Sequence, residues 1–259
     1  MFEKLSSNIA ETMDTAQSLF TEIDGVEFDY DFITSIYYHK DTDYLLIATE
    51  CDERNVIPGI YEYSFNTNNI LLLSKYPRSF QPGMVSSCID QERDLLYVCG
   101  DNIGIIGIFN LNEKSWKYEL DDEFVTRERA DEFPSICLVS PLNEVHIYSE
   151  SNFKFNGNNK TLIKLKENKE VNQLLGPKLL YIKLTNQLMI FGGSFKTHIY
   201  FSNVNDNNQT NYEWQLYSKK LPVKCEKYDA ILAFEHLIFV FYRDRYKGKK
   251  IYLLFGFIE

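Results

Sequence analysis

Short apolar runs divided by polar turns fill most of the chain, and residues 86–120 show the pattern most clearly. Four apolar runs follow one another there, SSCID, DLLYVCG, IIGIFNL and SWKYEL, and the turns between them are QER, DNIG and NEK. Runs of this length bounded by turn-forming residues are typical of strands joined by hairpins. The stretch therefore predicts a four-stranded antiparallel meander.

Similar units recur at residues 34–75, 134–175, 178–218 and 229–255. The second strands of the five units are spaced by 51, 49, 43 and 49 residues when they are registered at Tyr44, Leu95, Glu144, Gln187 and His236. A four-stranded unit that recurs about every 50 residues is typical of propeller blades, because one such sheet buries both faces only between stacked neighbours. The sequence predicts an all-β fold, a β-propeller of about five four-stranded antiparallel blades over residues 25–259.

The third and fifth units are less regular than the others. In the third, a long polar loop follows the second strand, TLIKLKE at 161–167 predicts the third strand, and a weak run near 171–175 predicts the fourth. The fifth has three strong runs, DAILAF, HLIFVFY and KKIYLLF. The alternating segment VEFDY at 26–30 is predicted to supply its missing strand and to clasp the ends together. The alternative is a fragment of a longer propeller.

The N-terminal residues 1–24 follow a different pattern and predict an amphipathic helix. Apolar side chains recur there at steps of three or four residues, at Phe2, Leu5, Ile9, Met13, Ala16 and Phe20. Two interpretations remain open. The apolar stripe packs on the outside or end of the β domain, or it serves as a docking or self-association helix.

Glycine and aromatic positions resemble those of kelch repeats. The fourth unit has Gly192 and Gly193 at the end of its second strand, and the second unit has Phe109 seven residues before Trp116. The turn phrases SFNTNN, NLNEKS and NVNDNN follow the third strands. The resemblance covers about residues 30–255 and implies a kelch-like β-propeller, a fold often used to bind proteins.

The glycine and tryptophan positions also have a physical explanation that does not depend on the family resemblance. Glycine at a strand end permits backbone angles that other residues reach only with strain. Trp116 and Trp214 are predicted to fill the wedges between blades, and a ligand-stacking role is the minority alternative.

Composition narrows the classes of partner. The chain has 259 residues and a formal net charge of -10. Nucleic acid is not an expected partner, because phosphate backbones require a basic stripe. The basic run at 243–250 is interpreted as a solvated hairpin tip, with an anion or partner site as the alternative. No apolar run is long enough for a membrane helix, and no secretory h-region is present, so a cytoplasmic protein is expected.

Cysteine and histidine positions give no site of known chemistry. The five cysteines are scattered without a CxxC pair, which favours buried reduced thiols, although Cys88 and Cys99 lie on neighbouring predicted strands. The four histidines fall in different units, and no metal or nucleophile motif is present. We therefore expect no catalytic residue, metal or cofactor, and no enzyme activity. The carboxylates at 121–133 are interpreted as a solvated loop, with a cation or basic partner as the alternative.

Two functions remain open from sequence. The first is a protein-interaction module or adaptor that presents propeller loops to another protein. Its expected contacts are exposed charges and aromatics in long links, namely Arg54, Phe153, Lys154, Phe155, Arg243, Arg245 and Tyr246. The second is an enzyme or small-ligand binder with titratable side chains that converge on an axial pocket.

Overall fold

A computed structural model of the chain describes the following residues: 33–39, 43–48, 57–64, 67, 69–77, 85–100, 105–121, 134–148, 152–174, 176–193, 196–205, 209–218, 220–221, 227–233, 237–243 and 254–257. The chain forms two compact units, Met1–Tyr76 and Pro77–Glu259. The predicted helix over 1–24 and the predicted clasp strand over 26–30 lie outside the described residues.

The first unit contains a four-stranded antiparallel sheet, sheet 1, whose strands follow chain order. Its strands are β1 (Ile33–His39), β2 (Asp43–Ala48), β3 (Gly59–Ser64) and β4 (Asn69–Lys75). Ile60 and Tyr63 of β3 are both buried although they lie on opposite faces of the strand. Burial on both faces explains why the central runs of this unit are nearly continuous in apolar residues.

The second unit contains the other four described sheets, and each again follows chain order. Sheet 2 comprises β5 (Ser86–Asp90), β6 (Leu95–Cys99), β7 (Ile105–Asn110) and β8 (Ser115–Asp121). Sheet 3 comprises β9 (Ser135–Val139), β10 (Glu144–Tyr148), β11 (Phe153–Asn156) and β12 (Thr161–Lys164). Sheet 4 comprises β13 (Pro177–Ile182), β14 (Gln187–Gly192), β15 (Ile199–Asn203) and β16 (Gln215–Leu216). Sheet 5 has three described strands, β17 (Lys227–Ala233), β18 (Leu237–Arg243) and β19 (Leu254–Phe257).

A repeated turn fixes the start of the second strand in sheets 2, 3 and 4. Asp94, Asn143 and Asn186 directly precede these strands, and their φ angles of 52°, 52° and 53° are left-handed. Their carbonyls accept hydrogen bonds from the first amide after each third strand, donated at 2.9, 2.8 and 3.0 Å by Leu111, Gly157 and Val204. The repeat in structure therefore has the same register as the repeat predicted from sequence.

The sheets of the second unit stack face to face through two apolar clusters. One cluster joins sheets 2 and 3 and includes Tyr97, Ile106, Ile108, Val145, Ile147 and Phe155. The other joins sheets 3 and 4 and includes Val139, Tyr148, Leu188, Ile190, Tyr200 and Tyr212. Alternate residues of β10 point to opposite faces, so one strand supplies side chains to both clusters.

The first strands of sheets 2, 3 and 4 lie beside one another. The Ser86 hydroxyl of β5 donates to the Pro134 carbonyl just before β9, at 2.5 Å. The Leu179 N–H of β13 donates to the Ser135 hydroxyl of β9, at 2.7 Å. These links between first strands leave the fourth strands at the outer edges of the sheets.

The strand predictions are confirmed closely in sheet 2 and need correction in sheet 3. TLIKLKE was predicted as the third strand of sheet 3, but it supplies the fourth strand, β12. The third strand is β11, in the segment predicted as a polar loop. Residues 171–174 form turns rather than a strand, with Leu174 N–H donating to the Val171 carbonyl at 2.9 Å. β11 has only four residues, FKFN, followed directly by the polar turn GNNK, so its apolar–polar alternation is too short to predict a strand from the local pattern alone.

The glycine and tryptophan predictions are confirmed in sheet 4. Gly192 and Gly193 have φ angles of 76° and 85°, in the left-handed region that other residues enter only with strain. Trp214 is half-buried, and its indole meets the Tyr148 ring of sheet 3 edge-on at a centroid distance of 5.5 Å. Trp116 contacts Phe109, its partner across β7 and β8 within sheet 2, at a centroid distance of 5.3 Å, and its placement between blades stays a prediction.

Candidate functional site: a buried ionic cluster and an exposed edge strand

Three residues predicted as exposed partner contacts are buried strand residues. Phe153, Lys154 and Phe155 lie in β11 and are 2%, 0% and 0% exposed. The two phenylalanines pack in the cluster between sheets 2 and 3. The prediction of an exposed loop is wrong for these residues, because the segment is the third strand of a sheet covered on both faces.

The other predicted contacts are not placed by the described residues. Arg54, Arg245 and Tyr246 lie outside them. Arg243 is the last residue of β18, and the position of its side chain is not described. Their role in binding stays a prediction.

Lys154 belongs to a buried ionic cluster with Glu144 and His146. All three side chains are 0% exposed. The Lys154 ammonium donates to both carboxylate oxygens of Glu144, at 2.9 and 3.2 Å. His146 Nε2 lies 3.5 Å from Glu144 Oε2. Glu144 and His146 share a face of β10, and Lys154 is the direct partner of His146 across β10 and β11.

The ionic cluster lies where sheet 3 meets sheet 4. The His146 ring contacts the Tyr212 ring edge-on, at a centroid distance of 5.3 Å. Tyr212 packs in the cluster between these two sheets together with Tyr148, which shares the face of Glu144 and His146. The charged groups are thus enclosed by apolar and aromatic side chains from both sheets.

Sheets 2 and 4 have uncharged side chains at the positions equivalent to the ionic cluster. The positions equivalent to Glu144, His146 and Lys154 are occupied by Leu95, Tyr97 and Ile108 in sheet 2 and by Gln187, Met189 and Phe201 in sheet 4. The fold therefore does not require an ion pair there. A buried ion pair costs desolvation energy that an apolar pair avoids, so the cluster is particular to sheet 3.

His146 is held neutral by its surroundings. Burial lowers the pKa of His146, the nearby Glu144 carboxylate opposes this shift, and the Lys154 ammonium adds to it. Among the described residues, neither ring nitrogen of His146 has a partner in good hydrogen-bond geometry. Glu144, 3.5 Å away, would attract the protonated ring, but desolvation outweighs that attraction and keeps the ring neutral.

The ionic cluster is fully enclosed by the fold. Its side chains are shielded from solvent, so no substrate reaches them in this conformation. They lie on second and third strands, whereas an axial pocket would be lined by first strands. The sequence contained one usable signal, the ionisable residues Glu144 and His146 at alternate positions of the otherwise apolar run EVHIY, and the prediction from sequence did not use it.

The second candidate site is the exposed edge of sheet 4, formed by Trp214, Leu216 and Tyr217. Leu216 and Tyr217 are 55% and 40% exposed. The Tyr217 N–H donates to the Ile199 carbonyl of β15 at 2.8 Å. Since N–H and C=O groups alternate in direction along a strand, those of Leu216 point to the open side of β16. The Tyr217 ring packs edge-on against the Phe201 ring, at a centroid distance of 5.3 Å.

The buried cysteines fit a structural role. Cys88, Cys99 and Cys137 are buried free thiols, as expected from sequence. Burial raises the pKa of Cys88 and of Cys137, which disfavours the reactive thiolate. Cys51 and Cys225 lie outside the described residues.

The described part of the chain offers neither a metal-binding cluster nor a membrane-spanning helix. It holds no group of three or more His, Cys, Asp or Glu side chains arranged to bind a metal ion. It also holds no helix with the length and apolarity needed to span a membrane.

Comparisons with solved structures show the fold. The chain is similar to a protein of unknown function from Bacteroides thetaiotaomicron, with a TM-score of 0.55, 10% identity, and coverage of 86% of this chain and 57% of that one. It is similar to a chain of a nidogen/laminin complex, with a TM-score of 0.54, 8% identity, and coverage of 82% of this chain and 72% of that one. It is also similar to Kuenenia stuttgartiensis hydrazine synthase, with a TM-score of 0.53, 11% identity, and coverage of 91% of this chain and 66% of that one. The chain thus spans less than two thirds of the Bacteroides and Kuenenia chains.

These similarities, together with the antiparallel sheets, confirm the predicted fold class, a β-propeller. No protein-family model matches the sequence. No curated protein matches it either.

Proposed function

We propose that this chain is a non-catalytic protein-interaction module. The observation that carries the proposal is the exposed edge strand β16, where Leu216 and Tyr217 present apolar surface beside outward-pointing backbone groups. An extended segment of a partner can pair with such an edge while its alternate side chains contact the apolar residues. One structural neighbour comes from a complex of two proteins, which is compatible with this use of the fold.

The proposed partner is a protein with an extended segment whose apolar side chains alternate. Edge strands are normally short or charged, because an open edge invites pairing with other chains. β16 is short, but its two exposed residues, Gln215 and Leu216, carry no charge, and neither does Tyr217, which directly follows the strand. Absence of catalysis, a protein partner and a cytoplasmic location remain predictions from sequence.

A peptide-display selection tests the proposal. A library of random 12-residue peptides is selected on the full chain, and the enriched peptides are measured by fluorescence anisotropy against Leu216→Asp. We expect enriched peptides with alternating apolar residues and at least a tenfold loss of affinity for the variant. Leu184→Asp is the matched control, since Leu184 is 60% exposed in the β13–β14 turn of the same sheet. No enrichment, or an equal loss with both variants, overturns the proposal.

We also propose a kelch-type ancestry for the sheets. Support comes from the left-handed pair Gly192 and Gly193 at the end of a second strand and from the direct pairing of Phe109 with Trp116. The test is a set of related sequences, in which these positions should keep glycine and aromatic residues. Their free variation would contradict the ancestry.

A further inference from the structure

The interface between sheets 3 and 4 contains a histidine that has no fixed acceptor for a second proton. His146 is fully enclosed, and both of its ring nitrogens lack well-formed hydrogen bonds to the described residues. Glu144, the one carboxylate beside it among the described residues, is already engaged by Lys154 through two hydrogen bonds. A proton on His146 would place a second cation beside one carboxylate.

The groups that face His146 come from β9, β10 and β11 of sheet 3 and from the segment before β16 in sheet 4. Glu144 and Tyr148 share its face of β10, Lys154 lies opposite on β11, and Cys137 lies opposite on β9. Tyr212 closes the site from sheet 4. Glu144 is the one carboxylate among these groups, and burial raises the pKa of Cys137 and of Tyr148, which disfavours their anions. No other anion in this set stabilises an imidazolium.

We propose that the Glu144–His146–Lys154 cluster is an acid-sensitive latch that loosens the contact between sheets 3 and 4 when His146 takes up a proton. The proton enters the site only if the interface opens, because buried charge is costly and water relieves that cost. The Tyr212 ring, which lies edge-on to His146, is the first sheet 4 group to be displaced. The latch acts at the interface and does not rest on the proposed partner binding.

The direction of the effect follows from proton linkage. The pKa of His146 is lowered by burial in the folded state, so above about pH 6.5 the ring is neutral in both closed and open states. Below that pH, His146 binds a proton in the open state but stays neutral in the closed state. The opening equilibrium constant should rise by up to about tenfold per pH unit until the closed-state pKa is reached.

The two tryptophans make the latch measurable, since the chain contains only Trp116 and Trp214. Trp214 contacts Tyr148 at the interface, whereas Trp116 lies in sheet 2. Trp116→Phe leaves Trp214 as the sole reporter, and Trp214→Phe leaves Trp116 as the control reporter. Acrylamide quenching is measured for each reporter from pH 7.5 to 5.0.

We expect quenching of Trp214 to increase below about pH 6.5 while quenching of Trp116 stays constant. In the Trp116→Phe background, His146→Met, which copies Met189 of sheet 4, should abolish the increase. His146→Gln serves if His146→Met does not give a native circular dichroism spectrum, and His198→Gln is the histidine control. An increase that persists without His146, that appears equally at both tryptophans, or that fails to appear in the wild type overturns the latch.

Discussion

At the scale of single residues, the Lys154 ammonium is the group on which the buried carboxylate of Glu144 depends. Both side chains are fully buried and joined by two hydrogen bonds. Removing one member of such a pair leaves an uncompensated charge, whereas removing both often costs little. Sheet 2, with Leu95 and Ile108 at the equivalent positions, shows that apolar side chains fit this architecture.

We predict that Lys154→Met lowers the free energy of unfolding by about 3–5 kcal/mol. The double variant Glu144→Leu with Lys154→Met should recover at least half of that loss, since no buried charge is left unpaired. Urea unfolding followed by circular dichroism measures both. Lys164→Met, at an exposed lysine of β12, should change stability by about 0.5 kcal/mol or less. Strict additivity of the two single substitutions would refute this coupling.

At the scale of elements, the residues of the hairpin turns mark most clearly where strands begin. Left-handed residues directly precede strands in sheets 2, 3 and 4, at Asp94, Lys114, Asn143, Lys160 and Asn186. Asn and Asp tolerate this conformation, but lysine adopts it at a cost of roughly 1 kcal/mol. The lysine turns are therefore strained relative to the asparagine turns.

Lys114→Asn should raise the free energy of unfolding by up to about 1 kcal/mol, because asparagine suits the left-handed φ of 50° at this exposed position. Differential scanning calorimetry would show a higher melting temperature. The control is Lys166→Asn, an exposed lysine whose φ is not left-handed. A gain of the same size at Lys166 would mean that the turn conformation is not the cause.

The local sequence pattern predicted a strand correctly where a clear apolar run was bounded by turn-forming residues at both ends. The four strands of sheet 2 match their predicted runs to within about a residue, a precision rarely reached at strand boundaries. The strands of sheet 3 after β10 were predicted wrongly. Lysine is usually exposed, so Lys154 favoured a surface loop where the structure has the buried strand β11. The burial of Lys154 depends on Glu144, ten residues away on another strand, and no local pattern contains that partner.

At the scale of the second unit, neighbouring sheets are held together by apolar clusters and by aromatic side chains inserted between them. Trp214 belongs to sheet 4 but contacts Tyr148 of sheet 3. Trp116 contacts Phe109 within its own sheet. The two tryptophans hold similar places in the repeat, and the contact of Trp214 with Tyr148 joins two sheets.

Trp214→Ala should lower the free energy of unfolding by about 2 kcal/mol, less than for a fully buried tryptophan, and should increase amide exchange in both sheets 3 and 4. Trp116→Ala should increase exchange within sheet 2 while sheet 4 keeps its protection. Hydrogen exchange with mass spectrometry resolves the sheets by peptide. Matching exchange patterns in the two variants would contradict the assignment of Trp214 to the interface.

The sequence by itself determined the β class, the four-strand repeat, its spacing, and the glycines and turns that end strands. These features depend on interactions within a few residues, so the local order of apolar, polar and turn-forming residues contains them. Only the tertiary structure decided which side chains are covered. It placed Phe153, Lys154 and Phe155 inside the fold, gathered Glu144, His146 and Lys154 into one ionic cluster, and left Leu216 and Tyr217 exposed. The physical reason is that burial depends on the neighbouring sheet, which lies far away in sequence.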